Sequence, residues 1–311
     1  MTALGWTLVI AAAVLLLIVL SPAPAFYMFL FRRHGERTAA LADMEDNYYT
    51  PYAESMRAAE ARLSRPGACE RVEVQDRKGD RLCADLYRRG NPRIVLMFHG
   101  YMTAPTKNFA VFAERLIAAG YDVLLVHQRA HGPSGGRNTG LGLLEWEDVL
   151  LWADWAAGEA GYPRAALYGM SMGGTSVGYA LGELKNPAVK AAVIDSAYQS
   201  PAVQLRAQGH KWHIPGFYLI PTLSVLVWLL LRVNLYRPVP ESLKKAKIPV
   251  LFLHGLADST VSLEQAQANC GAVPGEKRLI PVEGAEHTLP LIVGGEKVQD
   301  EVIAFYDTWM K

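Results

Sequence analysis

Three side chains in this sequence have the types and order needed for nucleophilic acyl transfer. Ser171 stands in Gly169-Met170-Ser171-Met172-Gly173, between an apolar strand-like run, Arg164–Tyr168, and a small-residue helix-like run from Gly174 to Leu181. A serine on so tight a turn projects its hydroxyl. The adjoining helix start supplies free N–H groups and a positive dipole end for a developing oxyanion. Serine needs a base, and the base needs an acid to orient it. Asp258 follows the apolar run Lys247–Leu253 in His254-Gly255-Leu256-Ala257-Asp258, and His287 follows Lys277–Val282 in Glu283-Gly284-Ala285-Glu286-His287. Asp195 also follows an apolar run and competes with Asp258 for the acid role. Asp258 is preferred because a single strand–helix unit separates it from His287. Two amides must hold the oxyanion. The run Arg93–Phe98 ends in His99-Gly100-Tyr101-Met102, so the amides of Tyr101 and Met172 are the expected donors.

Alone, G-x-S-x-G arises by chance in about one chain in ten of this length. The ordered partners, each at the end of a strand-like run, carry the signal. From about Arg71 to Lys311 the sequence resembles the α/β-hydrolase superfamily. It is most similar to the serine-aminopeptidase-like and monoacylglycerol-lipase-like branch, especially membrane-anchored members with an N-terminal helix. The resemblance rests on His99-Gly100-Tyr101, Arg129-Ala130-His131-Gly132-Pro133-Ser134-Gly135, the Ser171 pentapeptide, Asp195-Ser196-Ala197-Tyr198, Asp258 and His287. It implies a mostly parallel sheet with helices on both faces, a helical cap inserted after the sixth core strand, and a Ser171–His287–Asp258 triad. One departure is visible: the family usually carries Asp two residues before the Arg of the R-x-H-G loop, and here His127 stands there.

The remaining histidines read mainly as loop braces, His99, His131 and His254 among them. His210 and His213 lie at i, i+3, but no Cys, Asp or Glu cluster joins them, so neither a metal nor another cofactor is expected. The glycine runs lack a following Lys-Ser/Thr and are not phosphate loops. With 31 basic and 30 acidic residues, the 311-residue chain has no basic excess to bind nucleic acid. Its three scattered cysteines form no disulfide framework.

The flanking segments divide the chain. No charged side chain precedes Arg32, and a bilayer core needs about 20 apolar residues. Residues 1–33 are therefore expected to be a retained single-pass transmembrane anchor, kinked at Pro22 and Pro24 and dispensable for chemistry. The absence of a basic n-region disfavours a cleaved signal peptide, although Ala23-Pro24-Ala25 resembles a cleavage site. Arg32, Arg33 and Arg37 after the span place the catalytic part on the cytoplasmic side. Residues 34–70 are expected to be a juxtamembrane helical segment, with Met56, Ala59 and Leu63 at helical spacing. Residues 71–311 form the hydrolase domain, with a cap over 197–245.

Within the cap, Ile214–Leu231 is eighteen residues without charge. A second span there would separate Ser171 from Asp258 and His287 across the bilayer, so apolar cap helices are expected. Trp228 and Leu229 are expected to line the substrate pocket. The activity expected is hydrolysis of esters or thioesters with apolar acyl chains. Amide or small-peptide hydrolysis is the second reading, with Glu241 or Glu286 as candidates to hold a substrate amine. A catalytically silent binding protein on the same scaffold is the third, opposed by the complete triad. A dehalogenase needs Asp where Ser171 stands.

Overall fold

The computed structural model describes residues 2–33, 48–211 and 216–311. Eight strands form one sheet in the order β1-β2-β4-β3-β5-β6-β7-β8. β1 (Glu70–Gln75) and β2 (Arg81–Tyr87) are joined by a turn in which Asp76 Oδ1 accepts from the amides of Lys78 and Asp80. This hairpin pairs antiparallel with β4 (Asp122–His127). The other strands run parallel: β3 (Arg93–Phe98), β5 (Arg164–Met170), β6 (Val189–Asp195), β7 (Val250–Gly255) and β8 (Lys277–Val282). Central strands such as Ile94-Val95-Leu96-Met97-Phe98 are buried throughout, as parallel strands covered on both faces must be. The edge strand β8 instead exposes Lys277 and Arg278, charges that discourage pairing with another chain.

In chain order the helices are α1 (Ala3–Leu20), α2 (Ala23–Phe31), α3 (Ala53–Leu63), α4 (Pro105–Ala118), α5 (Glu145–Ala157) and α6 (Met172–Leu181). After β6 come α7 (Pro201–Lys211), α8 (Gly216–Leu231) and α9 (Val239–Leu243). The chain then adds α10 (Leu263–Ala272), α11 (Pro290–Val293) and α12 (Gly295–Trp309). One sheet face packs against α5, α6 and the cap helices around Trp152, Tyr179 and Leu223. The opposite face packs against α3, α4 and α12 around Phe109, Tyr168 and Tyr306. The cap (α7 to α9) leaves the sheet after β6, above the carboxyl ends of the parallel strands.

The N-terminal region departs from expectation. No single helix among the described residues is long and apolar enough to cross a membrane; α1 and α2 meet that test only as a pair, bent by 62°. The bend follows from the prolines and from Ser21, whose hydroxyl donates to the Ile18 carbonyl and accepts from the Ala23 amide. Beyond it, α2 lies on the protein. Ala23, Tyr27, Leu30 and Phe31 are buried, Tyr27 donates to Asn138 Oδ1 at 3.0 Å, and the Thr139 amide donates to the Phe31 carbonyl at 2.9 Å. Residues 1–33 are thus two helices in different surroundings. The first part of the expected juxtamembrane segment, residues 34–47, lies outside the described residues. Helix α3 packs against α4 through Ala59 and Leu63.

The turn between β5 and α6 depends on glycine. A Cβ at Gly173 would lie 1.9 Å from the Phe98 carbonyl oxygen, and one at Gly169 would lie 2.3 Å from that of Gly173. Gly173→Ala is therefore expected to lower unfolding stability by about 3 kcal/mol or more, read as a drop in denaturant midpoint at unchanged m-value. A midpoint equal to that of the unsubstituted protein would contradict this packing.

Candidate active site

Ser171 occupies the junction of β5 and α6 with φ of +53°, a left-handed conformation costly for a residue with a Cβ. Two bonds hold it: its amide donates to the Asp195 carbonyl at 2.8 Å, and its carbonyl accepts from the Thr175 amide at 2.9 Å. Its hydroxyl donates to His287 Nε2 at 2.9 Å, and His287 Nδ1 donates to Asp258 Oδ2 at 2.8 Å. The other Asp258 oxygen accepts from the Thr260 and Val261 amides, each at 2.8 Å. Burial disfavours the Asp258 charge. The bond from His287 and those two amides outweigh it and hold the carboxyl below its ordinary range.

Asp195 is tied elsewhere. Its carboxylate accepts from Tyr168 Oη at 2.7 Å and Ser196 Oγ at 2.8 Å and makes no hydrogen bond to His287. Burial pushes it up to about 6, against those two bonds. The structure therefore joins His287 to Asp258, while the Asp195 backbone holds the serine turn.

The Gly100–Thr103 loop lies against the serine; a Cβ at Gly100 would stand 3.6 Å from Ser171 Cβ. The neighbouring amides are occupied: Gly100 N–H by Asn108 Oδ1 at 2.9 Å, Met102 N–H by His131 Nε2 at 3.1 Å. Among the described residues, no protein acceptor takes the Tyr101 or Met172 amide. An oxygen bound beside Ser171 would find those two donors.

The histidines expected to be braces are bonded as such. His99 Nδ1 donates to the Gly100 carbonyl and Nε2 accepts from the Gln128 amide, which assigns one neutral tautomer. Burial and the nearby His131 push its pKa well down. His254 Nε2 donates to the Val261 carbonyl at 2.9 Å. His127, in place of the family's usual Asp, shares a 2.9 Å bond with Asp85, which also pairs with Arg71. Arg129 makes a buried two-pronged pair with Asp148. His213 lies outside the described residues. Among the described residues, no group of three His, Cys, Asp or Glu is placed to hold a metal.

A cavity of about 920 Å³ opens over Ser171 and His287. Trp228 and Leu229, expected to line it, do not. They are 52% and 44% exposed on the outer face of α8, because that helix buries Leu219, Ile220, Leu223 and Val227 instead. Trp228 stacks with Arg232. The cap reaches the cavity through α7, with Pro201, Gln204 and Leu205. Residues before the hydrolase core also line it: Phe29 and Leu30 of α2, Tyr48, Tyr49 and Met56. The sequence reading missed them. Their only signals were the prolines that break the first span and the helical spacing of Met56, Ala59 and Leu63. Glu241 pairs with Lys244, and Glu286 accepts from the Ser259 amide; neither lines the cavity.

Known proteins resemble this chain in sequence and in fold. Residues 90–233 match the serine aminopeptidase S33 family. Protein ABHD12B of Homo sapiens is 28% identical over 201 residues, covering 61% of this chain and 52% of that protein. The chain thus spans about half the length of that relative. The uncharacterized protein YqkD of Bacillus subtilis is 22% identical over 223 residues, 70% of this chain and 72% of its own. Among solved structures, the Pyrococcus furiosus esterase Pf2001 superposes with a TM-score of 0.63 at 24% identity, covering 78% of this chain and 92% of that one. The esterase EaEST of Exiguobacterium antarcticum gives 0.57 at 18% identity, over 76% and 99%. At these identities the structural likeness is one of fold.

The Asp195 carboxyl has a pH consequence. It ionises near 3.8 when unfolded and only near 6 when folded, so the unfolded chain releases its proton first. Stability contributed by protonated Asp195 falls as pH rises from about 4 to about 6. Asp195→Asn is expected to lack that part of the slope in unfolding titrations. An unchanged slope would show that Asp195 ionises normally in the folded protein.

Proposed function

We propose that this chain is an esterase-like serine hydrolase of the α/β-hydrolase superfamily that cleaves carboxylic esters or thioesters of apolar acyl chains, with Ser171, His287 and Asp258 as its triad. The 2.9 Å bond from the Ser171 hydroxyl to His287 at the base of a largely apolar cavity carries this reading. Ser171 Oγ attacks the carbonyl carbon as His287 Nε2 takes its proton. Asp258 holds the imidazole and stabilises the imidazolium, and the Tyr101 and Met172 amides receive the oxyanion. His287 then protonates the leaving oxygen or sulfur, leaving an acyl-serine. Water, deprotonated by His287, attacks the acyl carbon and releases the acid and the free serine.

An ester panel graded in chain length tests the reading. Activity should rise with chain length, Ser171→Ala should abolish turnover, and Asp258→Asn should lower kcat by about 10²–10⁴ at little-changed KM. A folded protein that cleaves amides and no ester would move the assignment to the peptidase-like reading. That reading needs a carboxylate to hold an amine. Among the described residues, Glu60 is the carboxylate lining the cavity, and it already accepts from Thr106 Oγ1 at 2.8 Å.

We further propose that α1, rather than all of residues 1–33, tethers the protein to a bilayer. Leu8 and Leu15 are 63% and 59% exposed, and no charge interrupts the helix. The exposed side chains Phe217, Trp228 and Leu230 of α8 extend the apolar surface beside it, joined by a bond from Tyr218 Oη to the Leu17 carbonyl. The arginines after the span support a cytoplasmic catalytic domain. Aspartate at both Leu8 and Leu15 should abolish co-flotation with lipid vesicles, since each central charge costs about 3 kcal/mol in an apolar bilayer. Undiminished flotation would remove the tether.

A further inference from the structure

Among the described residues, cap helix α7 supplies one side of the cavity, and a second side, beside the Gly100–Thr103 loop, comes from residues that precede the hydrolase core, Arg57 and Glu60 of α3 included. To that second side Phe29 and Leu30 contribute at the end of α2, and Ala53 and Met56 on the first turn of α3. These four side chains are apolar and line the same space as Ser171 and His287.

This second side is built into the fold. The Tyr101 phenol, on the loop that lies against Ser171, donates to the carbonyls of Phe29 at 3.2 Å and Leu30 at 3.0 Å. Just beyond α2, the Arg33 amide donates to the Arg137 carbonyl at 2.9 Å and its guanidinium to the Gly132 carbonyl at 2.6 Å. Tyr49, before α3, shares a hydrogen bond with Thr288, the residue after His287. Helix α2 is thereby held against the oxyanion loop, and the start of α3 against the histidine loop. Phe29 is 52% exposed and also lines the cavity, so the apolar lining continues to the outer surface of α2.

We propose that the pre-core residues Phe29, Leu30 and Met56 form the subsite for the substrate's hydrocarbon chain, so that the segment leading from the N-terminal helix sets chain-length preference. The inference rests on the acyl-hydrolase reading above and adds where the chain lies. It also replaces the expectation that residues 1–33 are dispensable for chemistry. Their removal would strip Phe29 and Leu30 from the cavity and take both acceptors from the Tyr101 phenol.

The test uses the full chain in detergent micelles and two serine-directed fluorophosphonates, one with an ethyl and one with a dodecyl chain. Because these label an activated serine whatever its natural substrate, the ratio of their second-order rates reports the chain subsite alone. Met56→Trp, which fills the space, and Phe29→Ser, which removes apolar surface, are each expected to lower the dodecyl-to-ethyl ratio at least about tenfold. Each methylene that leaves an apolar contact costs about fourfold. Glu54→Ala, exposed on the same helix and outside the cavity lining, should leave the ratio unchanged. A labelled protein whose ratio is the same in both cavity variants overturns the subsite and leaves the hydrolase reading standing. If Trp228→Ala lowers the ratio and Met56→Trp does not, the chain lies on the cap and the proposal is wrong. Failure of both probes to label the unsubstituted chain removes the hydrolase reading and the subsite with it, whereas labelling by the ethyl probe alone overturns the subsite and leaves the hydrolase reading standing.

Discussion

The strained turn at Ser171 is the constraint on which the rest of the structure depends. A non-glycine residue at φ of +53° persists only if its neighbours leave no cheaper conformation. Here α6 passes so close to β5 at Gly169 and to the end of β3 at Gly173 that neither glycine has room for a Cβ. The Ser171 amide is held by β6 through the Asp195 carbonyl. Positive φ recurs at Met102 and Thr288, in the loops that carry Tyr101 and His287, and also at Ala130, Leu141, Ser196 and Arg232. A sheet buried on both faces holds the loops around Ser171.

The buried carboxylates differ in what is bonded to them. Asp258 keeps its charge because three N–H groups converge on it, and that charge is what an imidazolium at His287 needs. Asp195 makes no bond to His287, receives two hydroxyls and is pushed toward its neutral form by burial. Asp148 is likewise raised by burial, to about 7, despite the paired Arg129. Each of the two candidate acids follows a strand in the sequence. Their environments, which no local pattern reports, separate a carboxylate bonded to His287 from one whose backbone holds the Ser171 turn.

What was legible in the sequence was local. Apolar runs ending in Gly, Ser, Asp or His marked the parallel strands and the loops at their carboxyl ends, and the ordered serine, aspartate and histidine followed from those ends. The cap was legible as a cap, but its inward face was not. In Gly216–Leu231 nearly every residue is apolar, so no periodicity distinguishes buried Leu223 and Val227 from exposed Trp228 and Leu229. The first 33 residues posed the same difficulty. Composition alone reads as one span, whereas Ser21 and the prolines turn the chain so that α2 packs on the domain. The contacts that bring α2 and α3 to the site, Tyr101 to Leu30 and Tyr49 to Thr288, join residues distant in sequence and leave no local trace.

The central claim is that Ser171 becomes acylated during turnover, and it is tested most directly by trapping that intermediate. The full-length protein would be mixed with a medium-chain ester, quenched in acid within the first turnovers, digested and mapped by mass spectrometry. The peptide containing Ser171 is expected to gain the mass of the carboxylic acid less one water. It predicts the adduct to accumulate when His287 is replaced by a residue unable to activate water but the ester is reactive enough to acylate the serine. Turnover with the acyl group on another residue, or with no adduct under conditions where deacylation limits the rate, would contradict it.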